Sequence, residues 1–177
     1  MNTIQVKDKL FSLYISEAEI KARVKEVADQ ISADLRDKHP LFLVILNGSF
    51  IFAADLLRNL DFPCEITFIR VSSYEGTTTT GQVKQHLSLK ESIEGRTVVI
   101  VEDIIESGYT MQEVLRILNE KQPAEVLITS LFIKPGCLKV PTHVDYPCFE
   151  ISNEFIVGYG LDYNEEGRNL NAIYQLK

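Results

Sequence analysis

A run of β-branched residues that ends in two acids and a glycine turn constrains the fold of this chain most. Residues 97–101 read TVVIV, which is typical of a strand buried on both faces. Glu102 and Asp103 follow directly, and the sequence SGYT comes four residues later. From Met111 to Leu118 the apolar residues recur at spacings of three and four. This pattern predicts a buried strand, a short loop and then the N-terminus of a helix.

A turn of this kind can bind an anion, because the first backbone N–H groups of a helix have no partner within the helix. Gly108 would let the backbone approach a ligand, and Ser107 and Thr110 would add hydroxyl groups. The carboxylates of Glu102 and Asp103 can accept hydrogen bonds from sugar hydroxyls or hold Mg²⁺. The loop therefore suits a phosphorylated sugar. Taken alone, the stretch also fits a helix that is capped by Ser107 beside solvated acids, and that interpretation would be favoured for an isolated motif.

Composition narrows the class of protein. The 177 residues are enough for a single domain with its own core, and 45% hydrophobic with 24% charged residues is ordinary for a globular protein. The net charge of −7 argues against a general nucleic-acid or membrane-surface binder. Three cysteines without a CxxC pair indicate neither a disulfide framework nor a zinc ribbon. Reduced thiols are the simplest interpretation, so we predict a cytoplasmic protein.

Strand and helix patterns alternate along the chain, which predicts an α/β fold with a mainly parallel central sheet flanked by helices. Residues 1–15 are predicted to form a short edge strand or a packed arm. A capping box at Ser16 and Glu19 predicts a helix to about Lys38, and the turn of residues 47–49 precedes a helix over 50–60. Further strands are predicted over 41–46, 64–71 and 126–133, with short ones at 149–151 and 155–157.

Four threonines between Gly76 and Gly81 form a polar stretch with no large apolar residue to anchor it. This composition predicts a mobile loop. It is either an ordinary hairpin tip that leads into residues 83–89, or a lid that keeps water from a reaction.

Several segments together resemble one family. The central loop resembles the phosphoribosyl pyrophosphate (PRPP) loop of the type I phosphoribosyltransferases, with an apolar run, Glu-Asp, two apolar residues, an acid, Ser, Gly, any residue and Thr. The segments LNGS, FIRVSSY, SLFIKP and FIVGYGLDYNEEGRNL resemble the hypoxanthine-guanine phosphoribosyltransferases in order and spacing, over roughly residues 10 to 175.

The resemblance implies a fold and an activity. The fold would be the type I phosphoribosyltransferase core, as a single domain with a small hood from residues 1–15 and 150–177. The enzyme would use Mg²⁺ and transfer ribose 5-phosphate from PRPP to N9 of a 6-oxopurine, hypoxanthine and guanine among them. IMP or GMP and pyrophosphate would be the products. Family members tend to be homodimers or homotetramers.

The resemblance also implies roles for individual residues. Glu102 and Asp103 would bind the ribose hydroxyls and organise Mg²⁺, and Asp162 would ligate a second Mg²⁺. The 5-phosphate would be cradled by the loop residues Glu106, Ser107, Gly108, Tyr109 and Thr110. Pyrophosphate would be held by Leu46, Asn47, Gly48 and Arg168, with Arg70 as a weaker candidate, and the Leu46–Asn47 peptide is one that the family often has in the cis form. The purine would be held by Lys134 at its 6-oxygen, by stacking on Phe155 and by main-chain groups of Ile156 and Asp162, beneath a lid that Ser73 and Tyr74 begin.

One residue departs from the family pattern. Glu106 stands where the family usually has Asp, the general base near purine N7. Our hypothesis is that Glu106 still serves as the base. Taken singly, Phe155 is also compatible with a core position, Asp162 and Arg168 with surface charges, and Lys134 with a solvated strand end.

Two other classes of protein remain open at this point. One is a regulator on the same fold that binds PRPP or nucleotides without turnover. The other is a flavodoxin-like phosphoacceptor whose acid cluster would be Glu102 and Asp103, but it leaves the LDYNEEGRNL segment unexplained.

Overall fold

A five-stranded parallel sheet forms the centre of the protein, which we describe from a computed structural model covering residues 3–71, 89 and 92–177. Its strands are β3 (Leu41–Leu46), β4 (Glu65–Arg70), β5 (Thr97–Ile105), β6 (Glu125–Ile133) and β7 (Tyr146–Glu150). They lie in the order β4-β3-β5-β6-β7, and each neighbouring pair is parallel. The predicted α/β fold is confirmed.

Helices cover both faces of this sheet. Successive side chains of a strand point to opposite sides, so alternate residues of β3 pack against different helices. On one face Phe42 and Val44 of β3 are fully buried in the core that includes α1 (Glu17–Leu35) and α2 (Phe50–Arg58). On the other face Leu43 is buried with residues of α3 (Tyr109–Asn119). The strand β3 and residues 98–101 of β5 are therefore apolar at every position, as the sequence indicated.

A second sheet is built from the two ends of the chain. Its strands are β1 (Thr3–Val6), β2 (Lys9–Ile15), β8 (Ile156–Val157) and β9 (Ile173–Leu176), and they pair antiparallel in the order β1-β2-β9-β8. The predicted edge strand or arm of residues 1–15 is instead a hairpin, which turns at Lys7 with φ 53°. The strand β9 was not predicted, because its four residues follow a polar stretch.

The boundaries of several elements differ from the prediction. The capping box at Ser16 and Glu19 is present, but α1 ends at Leu35 and Arg36–Lys38 form a separate 3₁₀ turn. The helix α2 ends at Arg58 and not at residue 60. The predicted lid, including Ser73 and Tyr74, and residues 83–88 lie outside the described residues. Within the described residues, none of the helices is both long enough and apolar enough to cross a membrane.

Candidate active site

The carboxyl ends of β3 and β5 bring a glycine turn against a carboxylate. The two strands are neighbours, so the residues that follow them meet at one edge of the sheet, where parallel sheets bind ligands. A Cβ atom built on Gly48 would lie 1.5 Å from Oδ2 of Asp103, and only glycine leaves room for this approach. The Leu46–Asn47 peptide that precedes the turn is cis.

The two acids belong to the end of β5 and not to a loop. The side chain of Glu102 is buried, and its Oε1 accepts a hydrogen bond from the Asp103 amide at 3.1 Å. Oδ1 of Asp103 accepts one from the Ile104 amide at 2.8 Å. These contacts fix both carboxyl groups against the backbone, at the edge where Gly48 lies.

Burial makes this pair costly to ionise. It raises the pKa of the Glu102 carboxyl well above its usual range, and the neighbouring Asp103 carboxylate raises it further. Burial also raises the pKa of Asp103, while hydrogen bonds with Glu102 and from the Ile104 amide and the positive charge of Arg168 oppose the shift. Such a pair gains most from a bound cation or from hydroxyl donors.

The turn after β5 presents free backbone amides. Among the described residues, no group accepts a hydrogen bond from the backbone N–H groups of residues 107–111. Gly108 is the N-cap of α3 with φ 84°, and none of the described side chains caps the helix. The interpretation of Ser107 as the N-cap is therefore wrong. Tyr109 is mostly exposed, and the side chain of Thr110 is half-buried.

A segment that the sequence did not single out supports this turn. The carbonyl of Ser107 accepts hydrogen bonds from the amides of Lys139 at 2.9 Å and Val140 at 3.2 Å. A Cβ atom on Gly108 would lie 2.5 Å from Oγ1 of Thr142, so the turn needs glycine both for its φ and for space. Nothing in the residue types of 139–142 indicated this contact.

Two residues predicted for the purine site form an ion pair. The backbone pairing of β5 with β6 extends to Ile105 and Ile133, so the residues that follow lie side by side. Nζ of Lys134 contacts Oε1 of Glu106. The lysine side chain is 5% exposed and the glutamate side chain 54% exposed. The contact therefore joins the buried ammonium group of Lys134 to the half-exposed carboxylate of Glu106.

The segment of residues 158–168, which we call the C-terminal strap, reaches the turn after β3. A Cβ atom on Gly160 would lie 2.0 Å from the carbonyl oxygen of Gly48, and Gly160 has φ 104°. The guanidinium of Arg168 donates to the Gly160 carbonyl at 2.9 Å and pairs with Oδ1 of Asp162 at 2.8 Å. The three predicted residues Gly48, Asp162 and Arg168 are thus brought together.

Tyr159 ties the strap to α2 and was missed by the sequence interpretation. It is 2% exposed, and its hydroxyl donates to Oδ2 of Asp55 at 2.6 Å. The two glycines that flank Tyr159 were a signal that the backbone passes close to another segment here.

Other predicted residues lie further from these contacts. The Phe155 ring packs with Phe11 and Tyr163 at centroid distances of 6.2 and 5.8 Å, and 45% of the residue is exposed. These contacts hold the Phe155 ring beside the second sheet and leave part of the ring exposed to solvent. Ile156 is buried in β8 beside it. Arg70 ends the edge strand β4, in register with Leu46 of β3.

The carboxylates of this site could each supply a single ligand to a Mg²⁺ ion, but they do not form a complete coordination shell. Within the described part of the chain, no three His, Cys, Asp or Glu side chains form a group that could hold a metal ion. Mg²⁺ usually takes one or two protein carboxylates and completes its shell with water and substrate phosphates. Asp103 at the Gly48 turn and Asp162 on the strap fit that requirement.

Comparison with known proteins gives a consistent set of relatives. The family model of the phosphoribosyl transferase domain matches residues 15–164. The chain is 42% identical to the hypoxanthine-guanine phosphoribosyltransferase of Streptococcus agalactiae serotype V over 163 residues, 92% of this chain and 91% of the relative. It is 43% identical to the hypoxanthine phosphoribosyltransferase of Haemophilus influenzae, over 90% of this chain and 91% of the relative. A crystal structure of a hypoxanthine-guanine phosphoribosyltransferase from Bacillus anthracis matches with a TM-score of 0.86 and 38% identity, over 94% of this chain and 96% of that one.

Proposed function

The chain belongs to the hypoxanthine-guanine phosphoribosyltransferases of the phosphoribosyl transferase family, and we propose that it is a purine salvage enzyme. It transfers ribose 5-phosphate from PRPP to N9 of a 6-oxopurine, hypoxanthine and guanine among them, and releases pyrophosphate. The observation that carries this proposal is the single sheet edge at which free amides, buried acids and the Gly48 turn meet.

The 5-phosphate of PRPP binds at residues 107–111. The free N–H groups and the positive end of the α3 dipole favour a dianion there. The hydroxyls of Ser107 and Thr110 add donors, and the backbone at Tyr109 contributes its amide. Because the turn is fixed by its contacts with residues 139–142, it needs little rearrangement when the phosphate arrives.

The ribose hydroxyls bind to the acids at the end of β5. Glu102 and Asp103 accept hydrogen bonds from the diol, which lies at the opposite end of the sugar from the phosphate. Mg²⁺ would be held by these two acids and, at a second position, by Asp162, and it would take up negative charge on the departing pyrophosphate.

The turn after β3 and the strap hold the pyrophosphate. Leu46, Asn47 and Gly48 present backbone groups, and Arg168 supplies a cation that Asp162 and the Gly160 carbonyl orient. Because these groups are fixed before the reaction, they stabilise charge on the leaving group without reorganisation. Arg70 is a weaker candidate, since it lies on the edge strand.

The purine lies between Lys134 and Phe155. Lys134 donates to the 6-oxygen, the exposed part of the Phe155 ring stacks on the base, and main-chain groups of Ile156 and Asp162 contact its edge. Glu106 accepts the proton of the purine as N9 attacks the ribose. A general base in this role usually raises the reaction rate by about 10²–10⁴-fold. Ser73 and Tyr74 begin a lid that excludes water from this step.

The remaining features of the enzyme follow from its class. We place it in the cytoplasm, with its three cysteines reduced. It acts as one domain in which residues 1–15 and 150–177 form the hood over the purine. It forms homodimers or homotetramers.

The two alternative classes lose support. The relatives reported above are named as transferases, which does not favour a regulator that binds without turnover. The family match over residues 15–164 includes the first part of the strap, which the flavodoxin-like alternative left unexplained.

Steady-state turnover tests the proposal. The protein is incubated with PRPP, Mg²⁺ and, in turn, hypoxanthine, guanine, xanthine and adenine, and pyrophosphate and nucleotide are measured together. We expect turnover with hypoxanthine and a preference over adenine on the order of 10⁴-fold, because a 6-amino group presents a donor to the Lys134 ammonium. Failure to form pyrophosphate with any of the four bases would overturn the proposal.

A further inference from the structure

The contact between Glu106 and Lys134 points to a second role for the glutamate, and this inference rests on the proposed function. The Lys134 side chain is 5% exposed, and in the described part of the chain its Nζ makes its one polar contact with Oε1 of Glu106. The other carboxylate oxygen of Glu106 makes no hydrogen bond within that part, and the side chain is 54% exposed. One oxygen is thus committed to the lysine while the other is free to face a ligand.

A buried ammonium needs a negative partner. Removing one member of a buried ion pair leaves an uncompensated charge, which is far more costly than losing an exposed pair. The 6-oxygen of a purine is neutral, so it can accept a hydrogen bond from Lys134 but cannot replace the charge of Glu106. Without the carboxylate, no polar group in the described part of the chain holds the lysine side chain in place, so it can turn toward water.

This movement would weaken the preference for 6-oxo over 6-amino purines. A fixed ammonium offers only donors, so it matches a 6-oxo group and opposes a 6-amino group. A lysine that has turned away contacts neither group.

We propose that Glu106 is a specificity-determining residue, which holds the Lys134 ammonium in place through one carboxylate oxygen and so sets the preference for 6-oxo over 6-amino purines. This role is separate from proton transfer. A residue that acted only as the general base would change turnover and would leave the binding of finished nucleotides unchanged, because no proton moves when they bind.

Equilibrium binding of the two product nucleotides therefore tests the inference. The Kd of AMP is divided by the Kd of IMP for the wild-type protein and for Glu106→Gln, Lys134→Met and the double variant, with Mg²⁺ present throughout. Glu120→Gln is the matched control, because Glu120 also pairs with a cation but on the exposed end of α3. Thermal melting of each variant confirms that it is folded.

We expect Glu106→Gln to lower the ratio by at least about tenfold, Lys134→Met to lower it as much or more, and Glu120→Gln to leave it unchanged. Because Glu106 acts through Lys134, the double variant should match Lys134→Met alone. An unchanged ratio in Glu106→Gln, or additive losses in the double variant, would overturn the inference. The proposed function would still stand in that case if the wild-type protein binds IMP. A wild-type protein that binds neither nucleotide would overturn both.

Discussion

Replacement of Gly48 by alanine should displace the Asp103 carboxylate and so weaken the proposed PRPP site. Gly48 has an ordinary φ, so alanine causes no backbone strain there and acts only through its added methyl group. That methyl would lie 1.5 Å from Oδ2 of Asp103. On its other side the turn contacts the strap, because the Gly48 carbonyl lies close to Gly160. The turn therefore has little room to move, and Asp103 must yield.

The size of the effect follows from these distances. The Asp103 carboxylate must retreat by about 2 Å to reach the ordinary 3.5 Å contact distance. This movement breaks its 2.8 Å hydrogen bond with the Ile104 amide. A hydrogen bond to a charged group contributes about 1.5–3 kcal/mol, so the free energy of unfolding should fall by roughly that amount. Displacement of a substrate-binding group by 1 Å or more can lower the rate by about 10²-fold, and we expect this loss in kcat/KM for PRPP.

Initial rates at varied PRPP concentration and urea denaturation measure the two effects. Gly136→Ala is the matched control, since its Cβ would meet nothing within 4 Å. It should change the free energy of unfolding by no more than about 0.5 kcal/mol. If Gly48→Ala kept wild-type kcat/KM and wild-type stability, the contact between the turn and Asp103 would not have the importance assigned to it.

Three further predictions concern other parts of the site and the core. Glu106→Gln should lower turnover by about 10²-fold or more while the Kd for PRPP stays unchanged, and unchanged turnover would refute the general-base role. Tyr159→Phe should lower the free energy of unfolding by about 1.5–3 kcal/mol in urea titrations, because it removes a partly buried hydrogen bond to the Asp55 carboxylate; no loss would contradict that role. Burial raises the pKa of the Cys148 thiol from 9.0 to about 12, so at pH 8 iodoacetamide should modify Cys148 about 10³-fold more slowly in the folded than in the unfolded protein, and equal rates would contradict the burial. The pKa of the thiol is higher in the folded than in the unfolded protein. Its contribution to the free energy of unfolding is therefore fully present below pH 9 and is lost as the pH rises toward 12.

Local patterns predicted most of the central sheet. The apolar runs of β3 and β5 indicated strands buried on both faces, and the side chains of both strands do divide between two cores. The end of β5 was placed too early because Glu102 and Asp103 read as loop residues. In the structure Glu102 is paired in the ladder with Ser130 of β6, and a buried acid of this kind cannot be told from a loop residue by hydrophobic pattern alone.

The contacts that define the site join residues far apart in the chain. Asp103 meets Gly48, and Gly48 meets Gly160, only because β3 and β5 are neighbours and the strap returns over them. The ion pair of Glu106 with Lys134 depends in the same way on the pairing of β5 with β6. The sequence gives the residue types at these positions, and the resemblance suggests the roles proposed for them. The distances between these residues could be known only from the folded structure, because the residues are far apart in the sequence.

A crystal structure with IMP and Mg²⁺ bound would show where the phosphate, the ribose and the purine of the nucleotide lie. We expect the 5-phosphate against the amides of residues 107–111, the ribose hydroxyls beside Glu102 and Asp103, and the 6-oxygen within hydrogen-bond distance of Lys134 Nζ. A nucleotide whose phosphate lies away from that turn, or whose sugar does not contact the two acids, would contradict this expectation.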